Sequence, residues 1–464
     1  METLNTFESD LLDRKQIAIN LTNIIKFKPD LRVLAIDSSW GTGKTTFINM
    51  WKYMLDNDDE FKTSFQTMYF NAWENDYISE PLSSLLVELE TQIKSRDTKI
   101  KSLFEKGIDK AKPYAKLGGQ ILLKYLTKGV LDKIKLEDNI ENSLMELSDK
   151  IGEMSFAEIS ILKQTKEILK EDLQSFQCSI DKKVIIFIDE LDRCKPTFAV
   201  ELLETIKHIF NLDNFIFVIS LDKEQLSHSI KILYGQDMDS DGYLRRFFDL
   251  EYNLPNNNTL SYIQHKNNKV CSGYINTQYL TRFFEEIFIS ENYSLRDINK
   301  VYSYISILLP NITYFNSKNV INHKEERYLL VASYLYAFFI NLHFKHNITY
   351  KKIKALNFNI TEDFIKTNII TFDINSFNLS FNDYHDTSAK EILSPVIPLY
   401  LELLSKAGNS ENYYHKTTEE MKRYTVGIKK DDNSYYPESS VDLLYFITTD
   451  KILKQIEFLN NFEI

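Results

Sequence analysis

Residues 37–46 read DSSWGTGKTT, and their reading decides the fold. A loop that cradles phosphates needs a turn tight enough to aim successive backbone N–H groups at one point, a lysine for the phosphate oxygens and a hydroxyl for Mg2+. Gly41, Gly43, Lys44 and Thr45 supply these, and Ser39, Trp40, Thr42 and Thr46 complete the lining expected for a nucleotide. The preceding run 31–36, LRVLAI, is short, apolar and closed by Asp-Ser-Ser, so it reads as a buried strand. Residues 46–55 have a helical pattern. Ser38 stands where such loops usually open with glycine, which is tolerable provided the position needs no positive φ. Trp40 fits if its ring points out of the loop, beside the nucleotide or against a neighbour.

A second half-site lies at 184–194, VIIFIDELDRC. An apolar strand ending in Asp189 places a carboxylate where it can hold a Mg2+ shell, and Glu190 beside it can polarise an attacking water. Lys44 and Glu190 are therefore the expected catalytic pair, with Thr45 and Asp189 as metal ligands. Two more strands are expected at 68–73 and 215–219, each followed by a helical pattern. The βαβα alternation predicts an α/β fold with a parallel sheet sandwiched by helices, and the uniformly apolar strands fit burial on both faces. Ser9 or Asp10 is expected to cap a first helix with an apolar face of Ile17, Leu21, Ile24 and Ile25.

Asp189 lies so far downstream of Lys44 that a segment must be inserted between them. The expected division is a nucleotide core at 1–93 and 151–255, a basic helical insertion at 94–150, a helical lid-like domain at 256–360, and a mostly helical C-terminal region at 361–464. Between 94 and 135 stand eleven lysines and Arg96 against Asp97, Glu105, Asp109 and Asp132, although the whole chain has a net charge of -11. Such a segment is either the solvated face of a packed helix or a contact for nucleic acid or a membrane surface. A further helix is expected at 155–176.

The composition, 43% apolar and 26% charged over 464 residues, is that of an ordered globular protein, and the acidic balance argues against a surface that coats nucleic acid throughout. Cys178, Cys194 and Cys271 have spacings that suit neither a zinc cluster nor a disulfide framework, so a reducing cytoplasm is the expected setting. Residues 1–16 show no export signal. The longest apolar run, 328–340, is shorter than the roughly 20 residues of a membrane span and reads as a buried helix.

Together, WGTGKT at 40–45, FNAW at 70–73, DELDRC at 189–194 followed by LETIK at 203–207, and FVISLD at 217–222 resemble the KAP family of P-loop NTPases over about residues 7–310. The resemblance implies an AAA+/STAND-like ATPase using ATP and Mg2+. Known bacterial members act in phage exclusion and antiphage defence. Members more often carry Asp-Asp where this chain has Asp189 and Glu190, commonly have glycine at the Ser38 position, and often carry transmembrane helices in the insertion. Here Lys124 and Lys128 interrupt the best spanning candidate.

The segment YLRRFFD at 243–249 is similar to the one that offers an arginine to a neighbouring subunit's nucleotide, so Arg245 or Arg246 is the expected trans finger. Either could equally serve a surface ion pair. SLRDIN at 294–299 is similar to a sensor helix, with Arg296 reaching the phosphates or simply solvated. Arg193 either acts on the nucleotide in cis or locks Asp192. The expectation is an ATP-hydrolysing homo-oligomer that drives conformational change or assembly in antiphage defence beside a separate effector. It would be cytoplasmic or peripheral at the inner face of the membrane. A slow ATP switch that senses a ligand and a DNA-stimulated motor are the alternatives. ATP is preferred over GTP because no Asn-Lys-x-Asp guanine reader is found.

Overall fold

The computed structural model describes residues 6–78, 81–94, 182–209, 213–255, 259–312 and 323–355, with isolated positions at 171, 393, 396, 397, 429, 430, 434, 435 and 456. The basic segment beyond Lys94, most of the helix expected at 155–176, and Cys178 lie outside the described residues. The chain divides into two compact units, 1–257 and 258–464.

The first unit opens with a 3-10 turn, Phe7–Ser9, and helix α1, Lys15–Phe27. Neither Ser9 nor Asp10 caps α1: Arg14 occupies the N-cap position without a side-chain capping bond, and the Asp10 carboxylate is taken up by the N–H groups of Leu12 and Arg14 and by the Arg14 guanidinium. The buried face of α1 is Ala18, Leu21, Thr22 and Ile25, and Ile24 is exposed. Strand β1, Val33–Asp37, feeds the phosphate loop and helix α2, Lys44–Asn57.

Strand β2, Phe65–Asn71, ends earlier than expected: the Asn71 side chain accepts the N–H groups of Trp73 and Glu74 and starts a short helix α3, Ala72–Asn75. Helix α4, Pro81–Lys94, follows. Strand β3, Lys183–Asp189, leads through a 3-10 turn, Leu191–Arg193, to helix α5, Pro196–Ile209. Strand β4, Phe215–Leu221, helix α6, Lys223–Tyr234, helix α7, Ser240–Leu244, and strand β5, Leu250–Asn253, complete the unit.

The five strands form one parallel sheet in the order β2-β3-β4-β1-β5. Strand β5 escaped the sequence reading because it is a four-residue edge strand with one exposed face, too short for a clear period. Alternate residues of each central strand enter two cores. Val184, Ile186 and Ile188 pack with α4, α5 and α6; Ile185 and Phe187 pack with α1 and α2. Layers of helices on both faces explain why the central strands are apolar at nearly every position.

The second unit contains helices α8, Thr259–Cys271, α9, Gln278–Ser290, α10, Leu295–Leu308, α11, His323–Lys345, and α12, Asn347–Lys354. As the apolar run predicted, residues 329–342 of α11 are buried, and α9 packs along this helix. Leu393, Val396, Ile397 and Ile456 are buried in the same cluster, so C-terminal positions contribute to this core. No helix among the described residues is long and apolar enough to cross a membrane.

Candidate functional site

The loop is shaped by two glycines in the left-handed region, Gly41 with φ 82° and Gly43 with φ 86°. A side chain at either would clash with its own backbone, so these are the positions where glycine is needed. Ser38 has no positive φ, which is why serine is accommodated there. Its N–H donates to the Leu221 carbonyl at 3.2 Å and its hydroxyl donates to Thr42 Oγ1 at 2.9 Å. Thr42 is buried and its hydroxyl donates to the Ser39 carbonyl at 2.9 Å. The loop is thus closed by its own hydroxyls, while Gly43 is the N-cap of α2 and no side chain caps the first N–H groups of that helix.

Lys44 folds over the loop, donating to the carbonyls of Ser38 and, at 3.2 Å, Ser39. Burial lowers its ammonium pKa, while Asp192, then Asp222, Asp189 and Asp37, act to raise it. Four carboxylates around one lysine follow from the strand order: β4 lies between β1 and β3, so the C-terminal ends of three strands converge on the loop. Thr45 is exposed at the helix start, and Thr46 is half-buried behind it.

Trp40 does turn its ring outward, with 42% of the residue exposed. Its indole N–H donates to Asp192, and its backbone N–H donates to Asp222 at 3.1 Å. The loop is therefore tied to the ends of both β3 and β4. Asp222 also caps α6 through the N–H of Gln225 at 3.3 Å. Sequence reasoning quoted Asp192 and Asp222 inside motifs and assigned neither to the loop; only the sheet order brings them there.

Asp189 is buried at the end of β3, where its carboxylate accepts the Glu190 N–H at 2.9 Å and the Tyr69 hydroxyl at 3.3 Å. That carboxylate contributes, after burial itself, to holding the Tyr69 phenol far above its usual range. Glu190 adopts a left-handed backbone, φ 61°. Its carboxylate pairs with Arg193 at 2.6 Å and accepts from Asn71 Nδ2 at 3.4 Å. Burial raises the Glu190 pKa, against the lowering influence of Arg193. Arg193 therefore engages Glu190 and not Asp192, because the 3-10 turn stacks residues three apart; its guanidinium also lies 5.6 Å from the Trp73 ring centroid.

Arg245 and Arg246 follow α7, are exposed, and enter no ion pair among the described residues. Arg296 is exposed in the first turn of α10, in the second unit, behind the cap that Ser294 provides to the Asp297 N–H. The loop, Lys44, Asp189 and Glu190 are thus brought together within the first unit. Tyr69 and Asn71, absent from the sequence-based site, join them because β2 pairs with β3 in register, Asn71 opposite Asp189.

Comparison with known proteins agrees with this architecture. A curated relative, the Phage T7 exclusion protein of Escherichia coli (strain K12), is 21% identical over 232 residues, which span 48% of this chain and 30% of that protein. The family model described as KAP family P-loop domain matches residues 14–371, reaching beyond residue 310, where the resemblance read from the motifs ends, and into the second unit. The match extends over most of the chain, and the protein belongs to the KAP family of P-loop NTPase domains.

Proposed function

We propose that the protein binds and hydrolyses ATP with Mg2+, using the cycle to drive conformational change or assembly of a homo-oligomer. The observation that carries this reading is the convergence on one loop of Lys44, the α2 N-terminus, Asp189 and Glu190. The donor set fits the cofactors. Two left-handed glycines and a free helix start suit a polyphosphate, and one hydroxyl with one buried carboxylate suits Mg2+, which retains several waters and takes further oxygens from phosphates. When bound, the metal would neutralise phosphate charge. Thr45 and Asp189 would hold it, Lys44 would hold phosphate oxygens, and Glu190 would accept the proton of the attacking water.

Arg245 or Arg246, free of ion pairs among the described residues, is available to a second copy of the chain. Arg296 is proposed as a sensor of the nucleotide. The name of the Escherichia coli relative supports a role in antiphage defence, for which a separate effector is proposed.

A slow switch is the second reading, favoured by one observation: both Glu190 carboxylate oxygens are engaged, by Arg193 and Asn71. Steady-state ATP turnover beside Glu190→Gln separates the two readings. Turnover that disappears in the variant while ATP binding persists is expected for the hydrolytic cycle. ATP binding with negligible turnover in both proteins, with or without DNA, would leave only the switch.

A further inference from the structure

We propose that Arg14 and Asp10, which lie outside the phosphate loop, form a brace that orients it, so that residues 6–14 help to set nucleotide affinity. This rests on the reading of residues 38–46 as the nucleotide site. Both side chains are 3% exposed and form a two-pronged pair: Arg14 Nη2 to Asp10 Oδ1 at 2.9 Å and Nε to Oδ2 at 3.1 Å. The third prong, Nη1, donates to the Gly43 carbonyl at 3.1 Å. Asp10 also accepts the N–H groups of Leu12 and Arg14, and Asp13 takes a left-handed conformation, φ 53°, that turns the chain back into α1. An aromatic stack backs the brace, with the Arg14 guanidinium 5.7 Å from the Phe47 ring and the Phe7 ring 6.1 Å from it, edge-on.

The location of the third prong gives the pair its role. The Gly43 carbonyl belongs to the same planar peptide as the Lys44 N–H, and in a trans peptide the two point in opposite directions. Fixing the carbonyl against Arg14 fixes the Lys44 N–H away from it, and with it the first turn of α2, whose Phe47 N–H shares the Gly43 carbonyl at 3.0 Å. A buried ion pair is weak as a source of net stability, because desolvation offsets its attraction, but its planar fork holds three acceptors in one geometry. Lysine could keep the charge and could not reproduce the fork. Asp10 precedes the family match, which begins at Arg14, so the aspartate half of the brace belongs to the segment outside it.

Calorimetric titration of the full chain with ATP and with ADP tests the brace, using Arg14→Lys, Phe7→Ala and Lys44→Ala. Arg14→Lys is expected to melt in one transition with native circular dichroism, yet to bind both nucleotides about tenfold more weakly, the effect of losing a charged donor. Equal loss for ATP and ADP marks an effect on the loop as a whole. Phe7→Ala removes a ring from the brace without disturbing a charge and should weaken binding in the same direction, by about two- to threefold. If Lys44→Ala loses binding while folded Arg14→Lys binds like the native chain, the brace is overturned. Should Arg14→Lys fail to fold, unchanged affinity in Phe7→Ala overturns it. Native affinity in Lys44→Ala would instead overturn the nucleotide-site reading itself.

Discussion

Gly43 meets two requirements at once: a φ of 86° that only glycine takes without strain, and a carbonyl that both begins α2 and receives Arg14. Gly43→Ala should cost about 1–2 kcal/mol in stability, measured by urea unfolding, and should weaken ATP binding further. Asp222 carries a similar double load, since it caps α6 and holds the Trp40 N–H. Asp222→Ala is expected to lose about 1–2 kcal/mol, whereas Asp222→Asn, which retains an acceptor oxygen, should lose less than half as much in the same unfolding assay. At this scale the glycines, Lys44 and Asp189 were legible because each is demanded by a short local motif. Asp222 was visible in the same way but mute, because its partner Trp40 comes from a loop far away in the chain.

Helix α2 is held to the sheet through Trp51, which is fully buried, packs against Phe47 and Phe187, and donates its indole N–H to Thr22 on α1 at 2.8 Å. Thr22→Val keeps the shape and removes the acceptor, so unfolding should show a loss of about 1–3 kcal/mol; Trp51→Ala should lose about 3–5 kcal/mol. In the second unit, burial raises the Glu285 carboxyl above its ordinary 4.5, opposed by the hydrogen bond from Asn267 and by Arg282. A raised carboxyl favours the folded state in its protonated form. Its stabilising contribution is complete below 4.5 and is lost as pH climbs through the folded pKa. Glu285→Gln cannot ionise and keeps an oxygen for Asn267. Thermal melts should coincide for variant and native protein at about pH 4 and favour the variant at about pH 7. The long elements could be read from periodicity, while β5 and the early end of β2 could not: one is an edge too short to show a period, the other is set by the Asn71 side chain.

Two units of different construction make up the described chain, one a sheet between helices and one mainly helical with a short antiparallel strand pair at 429–430 and 434–435. If hydrolysis is completed by a second copy, Arg245→Ala and Arg246→Ala together should cut turnover by about a thousandfold without weakening ATP binding. Mixing that inactive variant with equally inactive Glu190→Gln should then restore part of the turnover, because an intact base and an intact arginine meet across the contact. A mixture that stays inactive would assign the arginines to the surface of a single chain. The division near residue 257 lies where the sequence changes from apolar strands to helical periods.

The sequence by itself determined the phosphate loop, the strand that ends in Asp189, the layered α/β class and the buried nature of 329–340, since each depends on neighbours close in the chain or on a simple period. Only the tertiary structure decided that β4 separates β1 from β3, that Asp192 and Asp222 therefore anchor Trp40, that Arg193 engages Glu190, and that Arg14 reaches Gly43. These contacts depend on strand order, on backbone hand at single residues and on buried pairings between distant segments. Such features are chosen by the packing of the whole sheet and leave no periodic mark on the residues that make them.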